Sequence, residues 1–189
     1  MENKNSTSTK KIVLTALLAA LTVAGSAIRI TIPVDIAGTT SFHLGNIMCA
    51  LSGILLGPWY GAAAAGLGSA IYDMLNPLYI SEAWITFLTK GAYGLAAGLV
   101  ILCGKKPWTY LRATVATITG ALVYAVLYLS KTFFYSGLLL KGLTVEAAGL
   151  TVLTKLPATT FNAVVAILAA PALAVAIRRA LERNRLSLN

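Results

Sequence analysis

Long apolar stretches occupy most of the chain between Ile12 and Arg179, and only a few short polar breaks separate them. The stretches are too long for barrel strands, and they are rich in leucine and alanine without the alternation that such strands require. In a hydrocarbon environment the backbone amides must be satisfied within the protein, which an α-helix achieves along its own length. The pattern therefore predicts an all-α, polytopic membrane protein.

The number of spans depends on one break in the second apolar region. A helix needs about 20 apolar residues to cross a bilayer core, with about 17 to 25 as the working range. The segment Gly57-Pro58-Trp59-Tyr60 favours a turn, because proline lacks an amide hydrogen and disfavours helix in the residue before it. With this break the sequence predicts six transmembrane helices, at residues 12–32, 43–57, 60–76, 83–103, 112–138 and 152–177.

Basic residues indicate the orientation of these spans. They form three clusters, namely Lys4, Lys10 and Lys11, then Lys105, Lys106 and Arg112, then Arg178, Arg179, Arg183 and Arg185. Six spans put all three clusters on one side, whereas five spans would put the last two outside. The positive-inside rule therefore favours six spans with both termini cytoplasmic. We predict a disordered N-terminal tail at 1–10, a transmembrane domain at 11–181 and a cytoplasmic tail at 182–189.

Composition and charge agree with a location in the cell membrane. Hydrophobic residues make up 58% of the chain, charged residues 11%, and the mean hydropathy is +0.80. A soluble domain of this size cannot cover so much apolar surface. The three clusters contain ten of the fifteen lysines and arginines that produce the net charge of +9. Topology signals beside anionic lipid account for this charge, so we expect no nucleic-acid partner.

Polar side chains inside the predicted spans indicate a binding cavity. Such groups are costly in a membrane and normally face a protein interior or a wet cavity. Helical rise puts Lys90 roughly 12 Å, Lys131 roughly 10 Å and Asn162 about 15 Å below the outer ends of three different spans. We therefore predict a substrate-binding cavity that opens to the outside. Its candidate residues are Asp73, Thr86, Lys90, Tyr93, Tyr128, Lys131, Lys155 and Asn162.

Several of these side chains have alternative roles. Lys131 and Lys155 are long enough to snorkel to the outer interface instead of facing a ligand. Asp73 is either a ligand-binding group or the ion-pair partner of Lys90. Asn162 either contacts the ligand or makes a hydrogen bond between helices.

Two further segments have candidate roles. Ala16, Ala20 and Ala24 recur at four-residue intervals along the first span, so they form a smooth stripe on one side of that helix. Such a stripe permits close approach of another helix, either in this chain or in a partner protein. Residues 31–42 connect the first two spans outside, and their proline, glycine and hydroxyl residues predict a loop that serves as a lid over the cavity.

Sequence motifs for chemistry are missing. The chain has no phosphate-binding loop, no zinc-protease motif and no nucleophile elbow. One histidine and six acidic residues supply neither a metal site nor a proton relay well. We expect no cofactor, no bound metal and no enzymatic activity. A cavity without an energy source indicates a binding subunit that a partner drives.

Several local motifs together resemble the substrate-binding S components of energy-coupling factor (ECF) transporters, which take up vitamins in many prokaryotes. The resemblance covers nearly the whole chain. It is carried by the alanine stripe and by the segments FHLGN at 42–46, LLGPWYG at 55–61, GLGSAIYD at 66–73 and FLTKG at 87–91.

The resemblance implies a non-enzymatic subunit that captures a vitamin or related small molecule from outside. It implies docking through Ala16, Ala20 and Ala24 on a transmembrane coupling protein, which carries two cytoplasmic ATPase subunits. The local motifs are closest to the pyridoxine and hydroxymethylpyrimidine types, followed by the pantothenate type. The lysines at 90, 131 and 155 instead favour an anionic or strongly accepting ligand such as a carboxylate.

Two other functional classes require features that the sequence lacks. A self-standing secondary transporter would need coupling-ion groups or a visible pair of inverted repeats. A membrane enzyme would need a catalytic constellation. The sequence shows none of these features.

Overall fold

The computed structural model describes residues 4–34, 38–104 and 108–184. This part of the chain contains six α-helices and one antiparallel hairpin. The helices are α1 (Lys4–Ala27), α2 (Gly45–Leu56), α3 (Pro58–Met74), α4 (Ala83–Leu102), α5 (Tyr110–Lys131) and α6 (Val145–Arg183). The hairpin consists of β1 (Arg29–Val34) and β2 (Gly38–His43). A short 3₁₀ turn, Ile80–Glu82, precedes α4, and a π-helical segment, Thr132–Leu140, continues α5.

Each predicted span corresponds to one of these helices. Within the described residues, four helical stretches are long and apolar enough to cross a membrane, judged by length and composition. They are Thr9–Ala27, Ile80–Leu102, Tyr110–Leu140 and Val145–Arg183, and Gly45–Leu56 is a shorter apolar helix. The helical architecture is therefore confirmed, whereas the number of membrane crossings stays a prediction.

The hairpin corrects two expectations. The sequence predicts a first span that reaches Ile32 and a loop over residues 31–42, but α1 ends at Ala27 and strands follow. Ile30, Thr31 and Ile32 are β-branched, and such side chains favour extended backbone over helix. An all-α description therefore omits one small β element. At the other end, α1 begins at Lys4, inside the segment predicted as a tail.

Glycines allow α2, α3 and α4 to pack very closely. A Cβ at Gly53 would lie 2.4 Å from the carbonyl oxygen of Gly94, and one at Gly94 would lie 2.5 Å from that of Gly61. Side chains larger than hydrogen are therefore excluded where the three helices meet. The predicted break between α2 and α3 is confirmed at Gly57, whose φ of 78° favours glycine. Its amide donates to the Gly53 carbonyl at 3.0 Å and so caps α2.

The end of α4 packs against the α2–α3 turn, since a Cβ at Gly98 would lie 2.4 Å from the Pro58 nitrogen. The start of α5 lies beside the end of α4, since Arg112 donates to the Val100 carbonyl at 3.0 Å.

Contacts of basic residues bring the start of α1 and the end of α6 to the same end of the bundle. The Lys11 ammonium lies 5.8 Å from the ring centroid of Tyr60, and the Arg178 guanidinium lies 4.5 Å from that of Trp108. We call this the basic end. Three residues of the predicted basic clusters lie outside the described part of the chain, namely Lys105, Lys106 and Arg185.

Candidate functional site

A polar cavity of about 130 Å³ lies at the opposite end of the bundle, where the hairpin meets the helices. Seven of the eight candidate residues line it, and Tyr93 is the exception. The seven are Asp73, Thr86, Lys90, Tyr128, Lys131, Lys155 and Asn162. The depth argument from helical rise thus identifies residues that the fold brings together. Whether they bind a ligand stays a prediction.

One edge of β2 is bound by side chains of α6. The Asn162 side chain accepts a hydrogen bond from the His43 amide at 2.9 Å and donates one to the Ser41 carbonyl at 3.0 Å. Lys155 donates to the Thr39 carbonyl. Alternate residues of a strand direct their backbone groups to the same edge, so Thr39, Ser41 and His43 form one row. The α6 side chains therefore occupy the place of a third strand.

The spacing of the two elements explains why this works. Lys155 and Asn162 are seven residues apart, which is two helical turns or about 10.5 Å along α6. The β2 groups that they bind, from Thr39 to the Ser41–His43 pair, span about three residues, or roughly 10 Å of strand. On the other strand, Pro33 opposes Thr39. Because the Thr39 carbonyl faces α6 and not β1, the missing amide hydrogen of Pro33 costs the hairpin no hydrogen bond.

The two bonds of Asn162 go to the hairpin backbone, so this residue does not form the hydrogen bond between helices that the sequence left open.

A carboxylate joins α4 to the π-helical segment at the cavity wall. Glu82 forms a salt bridge with Lys131 and accepts a hydrogen bond from Ser136 at 2.7 Å. Residues five apart in an α-helix point about 140° away from each other. A π-helix has hydrogen bonds between residues five apart and winds less per residue, so it brings such residues closer to one side. The π-helical segment thus lets Lys131 and Ser136 hold the two oxygens of one carboxylate. Lys131 is therefore paired and does not snorkel.

Lys90 lies deepest among the charged residues of the cavity. Its side chain is buried, with 5% relative exposure. The ammonium donates to the Asn46 side-chain oxygen and lies 3.8 Å from the ring centroid of Tyr124. Asp73 was the candidate ion-pair partner, but the salt bridges within the described residues do not include it. Asp73 lines the same cavity, together with Thr86.

Three tyrosines form a column beside Lys90. The Tyr93 and Tyr124 rings stack with centroids 6.0 Å apart, and the Tyr124 and Tyr128 rings stack at 5.5 Å. Tyr93 is fully buried, and its hydroxyl has no hydrogen-bond partner within the described structure. It therefore supports Tyr124 from below and does not reach the cavity wall. Tyr124, by contrast, lines the cavity.

Arg29 is a cavity residue that the sequence analysis did not identify. Its guanidinium lies 4.2 Å from the ring centroid of Tyr72 and 5.0 Å from that of Tyr79. Its Nε donates to the Ser26 carbonyl at 2.8 Å. The Tyr79 hydroxyl in turn contacts the hydroxyls of two hairpin residues, Thr39 and Ser41, both at 3.2 Å.

His43 has two roles at the base of the hairpin. Its Nδ1 accepts the Gly45 amide at 3.1 Å, so it caps the start of α2 as its position suggests. Because Nδ1 accepts this hydrogen bond, the other ring nitrogen, Nε2, carries a proton. His43 lines the cavity, so it offers a hydrogen-bond donor there.

The cavity wall combines charged, hydroxyl and aromatic side chains. Four cationic side chains and two carboxylates line the cavity together with serine, threonine and tyrosine hydroxyls. Within the described residues, no group of three or more histidine, cysteine, aspartate or glutamate side chains could hold a metal ion. The wall therefore supplies charge, hydrogen bonds and aromatic surface to a small polar molecule.

Comparison with known proteins identifies the family. The model of the family "ECF-type riboflavin transporter, S component" matches residues 6–179. A Pyrococcus woesei protein, described as an uncharacterized protein in the gap 3′ region, is 33% identical over 118 residues. That alignment covers 62% of this chain and 74% of the other. The resemblance to S components is thus confirmed over nearly the whole chain, and the chain belongs to the family of ECF-type riboflavin transporter S components.

Proposed function

We propose that this chain is the substrate-binding subunit of an ECF-type ABC transporter and that it captures a water-soluble vitamin from outside the cell. The observation that carries the proposal is the polar, aromatic cavity enclosed at one end of an apolar helical bundle. Proteins of the S-component class work with a transmembrane coupling protein and ATPase subunits and bind small vitamins. The energy for uptake therefore comes from the partners.

The same proposal includes the topology. Six membrane crossings with both termini in the cytoplasm put the basic end inside, as the positive-inside rule requires. The cavity then opens at the outer side, where a nutrient arrives. The chain accordingly resides in the cell membrane as a multi-pass protein.

The class of vitamin rests on two kinds of support. The family description names riboflavin, and it gives no support to the pyridoxine, hydroxymethylpyrimidine or pantothenate types that the local motifs favour. Tyr128, at the end of the tyrosine column, offers aromatic ring surface at the cavity, against which a planar heteroaromatic ring can pack. We propose riboflavin as the first compound to test, followed by pyridoxine and pantothenate.

Binding to the isolated subunit tests the capture step. We expect the purified chain to bind one of these vitamins in calorimetric titrations. Lys90→Ala should weaken that binding by at least tenfold, about 1.4 kcal/mol, because it removes the buried cation of the cavity. Arg183→Ala, at the basic end, is the control and should leave the affinity unchanged. Equal affinity of the folded Lys90 variant and the parent chain would remove Lys90 from the site.

Uptake by cells tests the dependence on partners. Cells that express the chain together with ECF coupling and ATPase subunits should accumulate the vitamin. Cells that express the chain alone should bind it without accumulating it. Accumulation by the chain alone would favour a self-standing secondary transporter.

A further inference from the structure

The cavity contains cationic groups that the protein itself does not neutralise. Of its four cations, Lys131 forms a salt bridge with Glu82. In the described part of the chain, Arg29, Lys90 and Lys155 have no carboxylate within ion-pair distance. Lys155 binds the Thr39 carbonyl of the hairpin and so connects α6 to β2, which leaves Arg29 and Lys90 as the candidates to bind a ligand.

Of these two cations, Lys90 is the more deeply buried. It is buried, yet its partners are an amide oxygen of Asn46 and the face of Tyr124, both neutral. An ammonium group has three donor hydrogens and a full charge. Burial of a charge away from water is costly unless an opposite charge or several hydrogen bonds compensate it. The position of Lys90 on the cavity wall allows a ligand to supply that charge.

Arg29 adds a second positive charge to the same cavity. Its guanidinium packs against the rings of Tyr72 and Tyr79, and its Nε is bound to the Ser26 carbonyl. Guanidinium carries five donor hydrogens in a plane, so one bond through Nε leaves its terminal nitrogens for other acceptors. Asp73 is the carboxylate of the wall that has no salt bridge in the described structure, and a single carboxylate cannot balance both cations.

We infer that the physiological ligand is an organic anion, a carboxylate or a phosphate monoester, whose acidic group binds Lys90 with Arg29 nearby and whose ring packs against Tyr128. This inference rests on the proposed capture of a small vitamin-like molecule and adds its charge, so that among flavins it favours riboflavin 5′-phosphate over uncharged riboflavin. Charge-assisted hydrogen bonds are roughly twice as strong as neutral ones, and they are strongest where water is excluded. An uncharged molecule of the same shape would leave Lys90 unneutralised.

Matched pairs of probes that differ only in the acidic group test the inference. The pairs are riboflavin 5′-phosphate with riboflavin, pantothenate with pantothenol, and nicotinate with nicotinamide. Each compound is titrated calorimetrically into the purified, full-length chain. We expect the ionised member of the pair that fits the cavity to bind at least tenfold more tightly than its neutral partner. The phosphate and carboxylate pairs distinguish the two acidic groups.

A substitution then assigns the preference to Lys90. Lys90→Met keeps the length of the side chain and removes its charge, so the affinities within the pair should differ by less than twofold. The matched control is Lys141→Met, because Lys141 is exposed and does not line the cavity. This control should keep the full preference. Thermal melting reports whether each variant is folded, and the comparison in the parent chain does not depend on any variant.

The possible failures are distinguishable. Equal or tighter binding of the neutral member in the parent chain overturns the inference and leaves vitamin capture intact. A preference that survives in Lys90→Met overturns the assignment to Lys90. Absence of binding by all six probes, together with absence of uptake in cells that contain the partners, overturns the proposed function itself.

Discussion

Asn162 shows how one side chain connects the helical bundle to the hairpin at the mouth of the cavity. Its side-chain amide carries an acceptor oxygen and a donor nitrogen. The oxygen accepts a hydrogen bond from the His43 amide, and the nitrogen donates one to the Ser41 carbonyl on the same edge of β2. A carboxylate or a hydroxyl of similar size offers no such pair in a fixed geometry. The residue therefore holds the hairpin as a neighbouring strand would, and it does so from inside a helix.

Replacement of this amide should loosen the hairpin without unfolding the bundle. Asn162→Leu leaves the His43 amide and the Ser41 carbonyl unpaired, and each lost bond costs about 0.5–1.5 kcal/mol. We expect faster hydrogen exchange in β2 and a faster ligand off-rate, since the hairpin contributes residues to the cavity wall. Asn184→Leu, at the exposed end of α6, is the control and should change neither quantity. Unchanged exchange in β2 would show that Lys155 and Tyr79 suffice to hold the hairpin.

The depth of a helical residue follows from its distance along the chain to the end of the helix. The sequence could therefore predict which helical residues lie at the level of the cavity. Lys90, Lys131 and Asn162 lie at similar depths on three helices, and the fold brings them to one cavity. Arg29 and Tyr79 were not predictable in this way, because they meet through a hairpin whose placement depends on contacts with α6. The alternation of Ile30 and Ile32 with polar residues is the local signal that would have indicated a strand there.

At the scale of elements, the structure depends on how closely three helices approach. Gly53, Gly61 and Gly94 meet backbone to backbone where α2, α3 and α4 cross. Gly94 lies one helical turn from Lys90 on α4, so the crossing also sets the position of that lysine in the cavity. Gly61 and Gly68 of α3 therefore serve packing within the bundle.

A single methyl group at this crossing should therefore be destabilising. Gly94→Ala would place a Cβ 2.5 Å from the Gly61 carbonyl oxygen, so α3 and α4 must separate. Overpacking of a close-packed interior costs about 1–3 kcal/mol. The melting temperature should fall, and ligand affinity should weaken because Lys90 shifts with α4. Gly149→Ala is the matched control, since nothing lies within 4 Å of a Cβ there. It should be neutral or stabilising, because alanine favours helix. Equal melting temperatures for the two variants would contradict the close crossing.

The whole molecule separates three features in space. The cavity lies at one end, the basic residues at the other, and the side of α1 remains open. Ala16, Ala20 and Ala24 are exposed on α1, whereas Ala19, on a neighbouring side about 100° from Ala20, is buried against α3. A Cβ at Gly68 of α3 would lie 2.4 Å from the Ala19 carbonyl oxygen, so internal packing uses that other side. The alanine stripe is thus left for another protein or for lipid.

We propose that the coupling protein docks on this stripe. A substitution on the stripe should then abolish transport and leave ligand binding intact. Small residues let a partner helix approach closely, which is how helices associate where lipid removes the hydrophobic driving force. Ala20→Trp would hold such a helix off by several ångströms, roughly the thickness of the added ring. The cavity residues lie elsewhere, so the affinity of the isolated subunit for its ligand should remain nearly unchanged.

A pull-down and a ligand titration on the same preparation measure both quantities. The Ala20→Trp variant should bind ligand, fail to co-purify with the coupling protein and fail to support uptake. Leu122→Trp provides the control, because Leu122 is an exposed apolar residue of α5 and tests whether any surface tryptophan disturbs assembly. If Ala20→Trp assembles and transports normally, the stripe faces lipid. If it loses ligand binding as well, α1 supports the cavity, and the division into an outer binding end and a lateral docking side is wrong.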